Sequence, residues 1–284
     1  VVLMGFLSAV CAKGFDRVNF NYFDFLGKRC MRLILPVWIF FAIYYVGVYV
    51  VYYLPPMSEV ISSFTFTSDR YVWIIRILVI LGVFAPLVWK LTHKLNDVRI
   101  VAVVLVMLIC CELLFNYISN KTFELVMTTF PYAAAYIIGM NINKFSKIGQ
   151  ILVASFFGLS FLLCAGYQYL LQGEFVTVSH FKYPPRIYYM SYGLAVCMFL
   201  WIYRLQICKF FQIIKIETIT NYVGRHTYWL YLWHIPFVDV LEDAFNPLLR
   251  FLIITSCALC CVYIQDQIVH RFVSNNKLAT IFNG

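Results

Sequence analysis

Lys28-Arg29-Cys30-Met31-Arg32-Leu33-Ile34-Leu35-Pro36-Val37-Trp38 decides how the rest of the chain is read. Arg29 and Arg32 stand three positions apart, so on a helix they share a face. Behind them an apolar run of membrane-crossing length begins. Two fixed guanidiniums at the mouth of such a helix suit a phosphorylated ligand. They equally suit the ordinary retention of a helix end on the cytoplasmic side.

Working outward, composition rules out a soluble domain. Of the 284 residues 63% are hydrophobic and 12% charged, with mean hydropathy +0.81, which leaves too little polar surface to face water. The chain reads as an all-α polytopic membrane protein. Its formal net charge of +9 does not mark a nucleic-acid binder, because the cations lie in short loops between apolar runs. The ten cysteines are scattered, most of them inside apolar segments, where cysteine behaves as a small apolar residue. Cys257-x-x-Cys260-Cys261 has a metal-like spacing, but a structural zinc site needs four ligands and no second pair lies near. Neither a metal nor a disulfide is expected.

About 20 apolar residues cross a bilayer. Such runs fall at 33–54, 71–91, 98–119, 123–142, 148–171, 186–205, 227–245 and 248–273, with a shorter one at 1–12. Alternate loops divide the charge. One set holds Lys13, Arg17, Lys28, Arg29 and Arg32, then Lys90, Lys94 and Arg99, then Lys144 and Lys147, then Arg204, Lys209, Lys215 and Arg225, then Arg271 and Lys277; the other holds Arg70, Lys121, Lys182, Arg186 and Arg250. The excess puts the first set in the cytoplasm. The run at 1–12 opens on Val1 without a basic leader, so it reads as a helix cut in its middle rather than a signal peptide. About nine segments are thus expected here, the first partial, with a further helix upstream, and residues 1–284 forming one transmembrane domain.

Ionisable groups inside spans are costly and are functional candidates by default. Arg76 follows Trp73 within an apolar run and either snorkels outward or faces a polar cavity. Glu112 is expected mid-span with a neighbour to pair with, or protonated. The densest cluster is Gly224-Arg225-His226-Thr227-Tyr228-Trp229-Leu230-Tyr231-Leu232-Trp233-His234-Ile235-Pro236, followed by Asp239, Glu242 and Asp243. His234 lies about 10 Å along the helix axis from Thr227. It is either a direct chemical participant or a cavity-lining histidine held by a carbonyl, and Asp239, five residues on, is off its face. Pro36 and Pro236 can free backbone carbonyls around a cavity. His93, His226 and His270 are expected to face solvent or headgroups, and His180 to lie in an outward loop.

Together these motifs resemble the membrane-bound acyltransferase-3 family. Arg29-x-x-Arg32 with Pro36 is similar to its arginine pair, and Trp73 through Pro86 to its tryptophan-containing helix. Lys182-Tyr183-Pro184-Pro185 with Tyr188-Tyr189 resembles a segment of its sugar O-acetyltransferases. Gly224 through Pro236, with Tyr231-Leu232-x-His234, resembles its late helix. The resemblance implies a ten-helix fold in a bacterial inner membrane that passes an acyl group, most simply acetyl, from cytoplasmic acyl-CoA to a hydroxyl of a surface glycan or lipid-linked saccharide. Acyl-CoA would be a donor substrate, with no tightly bound cofactor and no metal. It implies CoA phosphates on Arg29 and Arg32, and a substrate cavity involving Arg76, Trp73 and Tyr231. The family's histidine is expected in a first helix upstream of Val1, which leaves His234 as the catalytic candidate within this sequence. The competing readings are a polysaccharide exporter, which should show paired broken helices in two halves, and an inactive truncated homologue.

Overall fold

The computed structural model of the chain describes residues 2–10, 15, 21–51, 55–67, 72–115, 121–241, 246–272 and 282. Lys13, Arg17, Arg70, Glu242, Asp243 and Lys277 lie outside that set. Among the described residues twelve α-helices follow in order: α1 Val2–Val10, α2 Tyr22–Val51, α3 Met57–Phe64, α4 Trp73–Thr92, α5 Asp97–Phe115, α6 Lys121–Asn141, α7 Lys147–Gln172, α8 Ile187–Ile202, α9 Arg204–Ile213, α10 Glu217–Arg225, α11 Thr227–Val240 and α12 Pro247–Phe272. Among the described residues there is no β-strand, only an isolated bridge between Lys182 and Pro185. Five helices (α2, α4, α5, α7 and α12) are long and apolar enough to cross a membrane, and α8 with α9 makes a sixth candidate, bent by 63°. The chain is an all-α, multi-pass membrane protein. With no water in the bilayer core, helices satisfy every backbone group internally, which is why the apolar runs take this form.

Two differences from the sequence reading bear on the site. The helix expected from residue 33 starts at Tyr22, so Arg29 and Arg32 sit inside α2 rather than ahead of it. Lys28 explains part of this, since its Nζ bonds Asp24 Oδ2 at 2.7 Å in the favourable acid-first i,i+4 order. The run at 227–245 becomes a helix of 14 residues, shorter than a full crossing.

The chain packs as two compact units. The first comprises Val1–Tyr22 and Ile80–Ile207, the second Phe23–Val79 and Cys208–Gly284. In the first, α1 lies against α6 and α8, and α7 against α8. Phe6 and Ala9 of α1 are fully enclosed. Close approach depends on two glycines. A Cβ on Gly139 of α6 would stand 2.3 Å from the Phe6 carbonyl oxygen, and one on Gly193 of α8 2.7 Å from Val2 Cγ2. Small residues let helix backbones meet in this way.

Side-chain hydrogen bonds fasten both ends of this unit. At one end Asn141 Nδ2, wholly buried, donates to Thr92 Oγ1 at 3.1 Å and to the Ile137 carbonyl. There Lys144 donates to the His93 carbonyl and lies 4.5 Å over the Trp89 ring. At the other end Glu112 meets Arg186. Arg186 Nε donates to Oε1 at 2.6 Å, its Nη2 reaches the same oxygen, and the Ile187 N–H donates to Oε2 at 3.0 Å. Glu112 thus pairs a cation and supplies an acceptor at the start of α8, where helices favour negative charge. The neighbour that the sequence reading expected for Glu112 is thus Arg186.

Candidate functional site

Every candidate side chain belongs to the second unit. Within it α2 and α11 run side by side in the same direction, pinned at three levels. Tyr228 OH donates to the Leu33 carbonyl. The rings of Phe40 and Trp233 meet edge to face with centroids 5.5 Å apart. Tyr44 OH donates to Asp239 Oδ2 at 3.4 Å. Both residue series rise together, so the pairing is parallel. On α12, Gln265 Oε1 accepts from Trp233 Nε1 at 2.7 Å, which holds the third helix of the group.

At the lower level stand the arginines. Arg29 is half-buried, with its guanidinium 6.0 Å over the Phe25 ring, and its sealed Nε has no hydrogen-bond partner. Arg32 is exposed. Among the described residues neither forms an ion pair; Asp24 bonds Lys28 instead. Pro36, inside α2, has no N–H to offer the Arg32 carbonyl four residues earlier. This end therefore carries two unneutralised guanidiniums one helical turn apart, which suits several phosphate charges.

His234 lies at mid-height on α11, half-buried. Its Nδ1 contacts the Tyr231 carbonyl and its ring lies 5.0 Å from the Tyr231 ring. A carbonyl oxygen can only accept, so Nδ1 carries the proton and Nε2 holds the lone pair. The carbonyl contact is the one that the cavity-lining reading of His234 expected. Neither Asp239 nor any other carboxylate among the described residues bonds it, and Asp239 turns to Tyr44.

Trp73 is buried at the start of α4, and Arg76 follows. Arg76 Nη1 donates to the Phe66 carbonyl at 3.2 Å, while its Nε is sealed without a partner. The turn holding Phe66 is braced. Trp38 Nε1 donates to the Phe64 carbonyl at 3.0 Å, and the Tyr45 hydroxyl bonds Ser63 Oγ at 2.7 Å. Trp73 and Arg76 share the start of α4, while Tyr231 belongs to the His234 turn.

His226 departs from the sequence reading. It is 6% exposed rather than facing solvent, because the bend between α10 and α11 turns it in against α12. Its Nδ1 lies 3.0 Å from the Tyr222 carbonyl and its Nε2 3.6 Å from Asp266 Oδ1. Burial, with Asp266 and Tyr263 nearby, pushes the Tyr222 phenol up. His270, four residues after Asp266, shares that carboxylate at 3.4 Å and is exposed as expected. Proximity of residues 226 and 266 is a tertiary fact with no local signature, although a histidine at a helix junction is a natural partner for a carboxylate on a neighbouring helix. Among the described residues no three histidine, cysteine or acidic side chains are grouped to hold a metal, and the nine described cysteines are free.

Residues 1–264 match the acyltransferase domain family, acyltransferase-3. The match covers most of the chain, and the chain belongs to that family: it is a membrane acyltransferase. No match was found among curated proteins or among solved structures.

Proposed function

We propose that the chain takes an acyl group, most simply acetyl, from cytoplasmic acyl-CoA and delivers it to a hydroxyl of a surface glycan or a lipid-linked saccharide, in the inner membrane of a bacterium. The observation that carries the donor half is the unneutralised pair Arg29 and Arg32 at the cation-rich end of α2. CoA presents a diphosphate and a further phosphate, and guanidinium forks bind such groups in bidentate fashion. The cation excess of the loops at that end, the pattern of cytoplasmic loops, supports a donor drawn from the side where acyl-CoA is made.

In the reaction the acceptor oxygen attacks the thioester carbon. A base takes the hydroxyl proton, the C–S bond breaks, and CoA leaves as the thiol once reprotonated. Within this sequence His234 Nε2 is the candidate base, supported by the proton fixed on Nδ1. Trp73, Arg76 and Tyr231 are the candidate cavity residues on the acceptor side.

The deciding experiment is acetyl-CoA binding to purified protein in detergent, wild type against the Arg29→Ala, Arg32→Ala double variant. Binding by wild type that the double variant loses supports the donor site. Equal binding by both, with both folded, rejects the assignment of Arg29 and Arg32. Lysine at the two positions should rescue only in part, since the charge returns without the planar fork.

A further inference from the structure

His226 is the one buried histidine among the described residues, and the acyl-transfer chemistry above gives it no part. It stands at the junction of α10 and α11. Nδ1 lies 3.0 Å from the Tyr222 carbonyl, and the enclosed Nε2 lies 3.6 Å from Asp266 Oδ1 on α12. A carbonyl and a carboxylate both only accept, so a ring that carries both protons meets an acceptor on each side. The Asp266 contact is at ion-pair rather than hydrogen-bond distance. Asp266 is nearly enclosed as well, with His270 at 3.4 Å on its outer side. One residue before it, Gln265 accepts from Trp233 Nε1 at 2.7 Å, so the carboxylate belongs to a helix that is already tied to α11.

What the His226–Asp266 pair holds is the first turn of α11. Two residues on, Tyr228 OH donates to the Leu33 carbonyl of α2, and Leu33 directly follows Arg32. This part of α2 is weak by itself, because Pro36 gives the Arg32 carbonyl no N–H to accept. The backbone next to the arginine pair is therefore braced from outside its own helix, through a tyrosine whose place is set by His226.

We propose that His226 is a positioning residue of the donor site. Paired with Asp266 it fixes the start of α11, and the Tyr228–Leu33 bond carries that constraint to the turn of α2 that bears Arg29 and Arg32. This deepens the acyltransferase reading above and rests on it for what the arginines hold. A bidentate site must be held to within about 0.5 Å, so slack at the α11 start costs phosphate affinity although His226 touches no substrate.

The test uses the whole protein in detergent, with acetyl-CoA as the probe. Hydrogen exchange of residues 28–37 is a second readout that needs no ligand. His226→Asn keeps a donor near the Nδ1 position and omits the Nε2 side, whereas His226→Gln reaches towards Asp266 with an amide N–H. His226→Asn and Tyr228→Phe are each expected to weaken acetyl-CoA binding about three- to tenfold and to speed exchange in residues 28–37. The double variant should do no worse than the weaker single one, and His226→Gln should keep most of the wild-type affinity. Should His226→Asn fail to fold, Asp266→Asn, which removes the charge facing Nε2, takes its place under the same criteria. Losses that multiply in the double variant would mean that the two residues act separately and would overturn the proposal. Unchanged affinity and exchange in the single variants, or equal losses in His226→Asn and His226→Gln, would overturn it too. If wild type binds no acetyl-CoA, the donor reading falls and exchange alone decides. Faster exchange in His226→Asn and Tyr228→Phe but not in His226→Gln then supports the brace, and unchanged exchange rejects it.

Discussion

A carboxylate near the end of an apolar helix either loses its charge or finds a partner, and Glu112 does the second, with Arg186 and the Ile187 N–H. Removing one partner strands the other's charge. Glu112→Gln is expected to destabilise the protein by about 1–3 kcal/mol, read as a lower Tm in detergent. Arg186→Gln added to it should cost less than the sum of the two single changes; strict additivity would mean that the pair is not coupled. At His234 the question is chemical. Glutamine can still donate to the Tyr231 carbonyl but cannot take a proton, so His234→Gln should keep acetyl-CoA binding and lose acyl transfer if Nε2 is the base. Transfer at the wild-type rate would take His234 out of the reaction. At this scale the ionisable side chains stand out in the sequence, because such a group in an apolar run is conspicuous in one dimension. Their partners do not: Glu112 and Arg186 are brought together by α5 and α8, and Asp239 accepts from Tyr44 on α2.

Between elements, the contacts that matter are close approaches, which apolar patterning does not encode. Gly139 and Gly193 look like any other glycines in apolar helices, yet each is where α1 is admitted. Gly139→Ala sets its Cβ against the Phe6 backbone, which cannot turn aside, and is expected to cost about 1–3 kcal/mol. Gly193→Ala meets only the Val2 side chain. Thermal melts should therefore show Val2→Gly, which removes both the methyls and the Cβ at 2.9 Å, rescuing Gly193→Ala, while no change at the Phe6 side chain rescues Gly139→Ala; rescue of the latter would mean that α1 is free to shift. The long runs were legible because about 20 apolar residues admit little but a crossing helix. Helix α3 was not foreseen. Its eight residues, Met57–Phe64, follow two prolines and contain three serines, a local composition that resembles a loop.

For the whole molecule, the loop charges and the packing agree on one point. α2 and α11 lie parallel, pinned at Leu33, Phe40 and Tyr44, and the charge asymmetry independently starts both from the same side. The orientation can be read directly with single-cysteine variants and a membrane-impermeant maleimide. Cysteine at the exposed Tyr183 position should be labelled in intact spheroplasts, and the native exposed Cys208 only after permeabilisation; the reverse pattern would invert the topology and with it the donor end. Family membership was legible across the chain because its motifs recur in order. The clasp around α1 also bears on biogenesis. This helix is made early, but the surfaces that accept its Phe6 carbonyl and Val2 side chain belong to α6 and α8, made later. Until α8 is synthesised the Val2 side of α1 lacks its partner even with α6 in place, so the first unit closes late in translation.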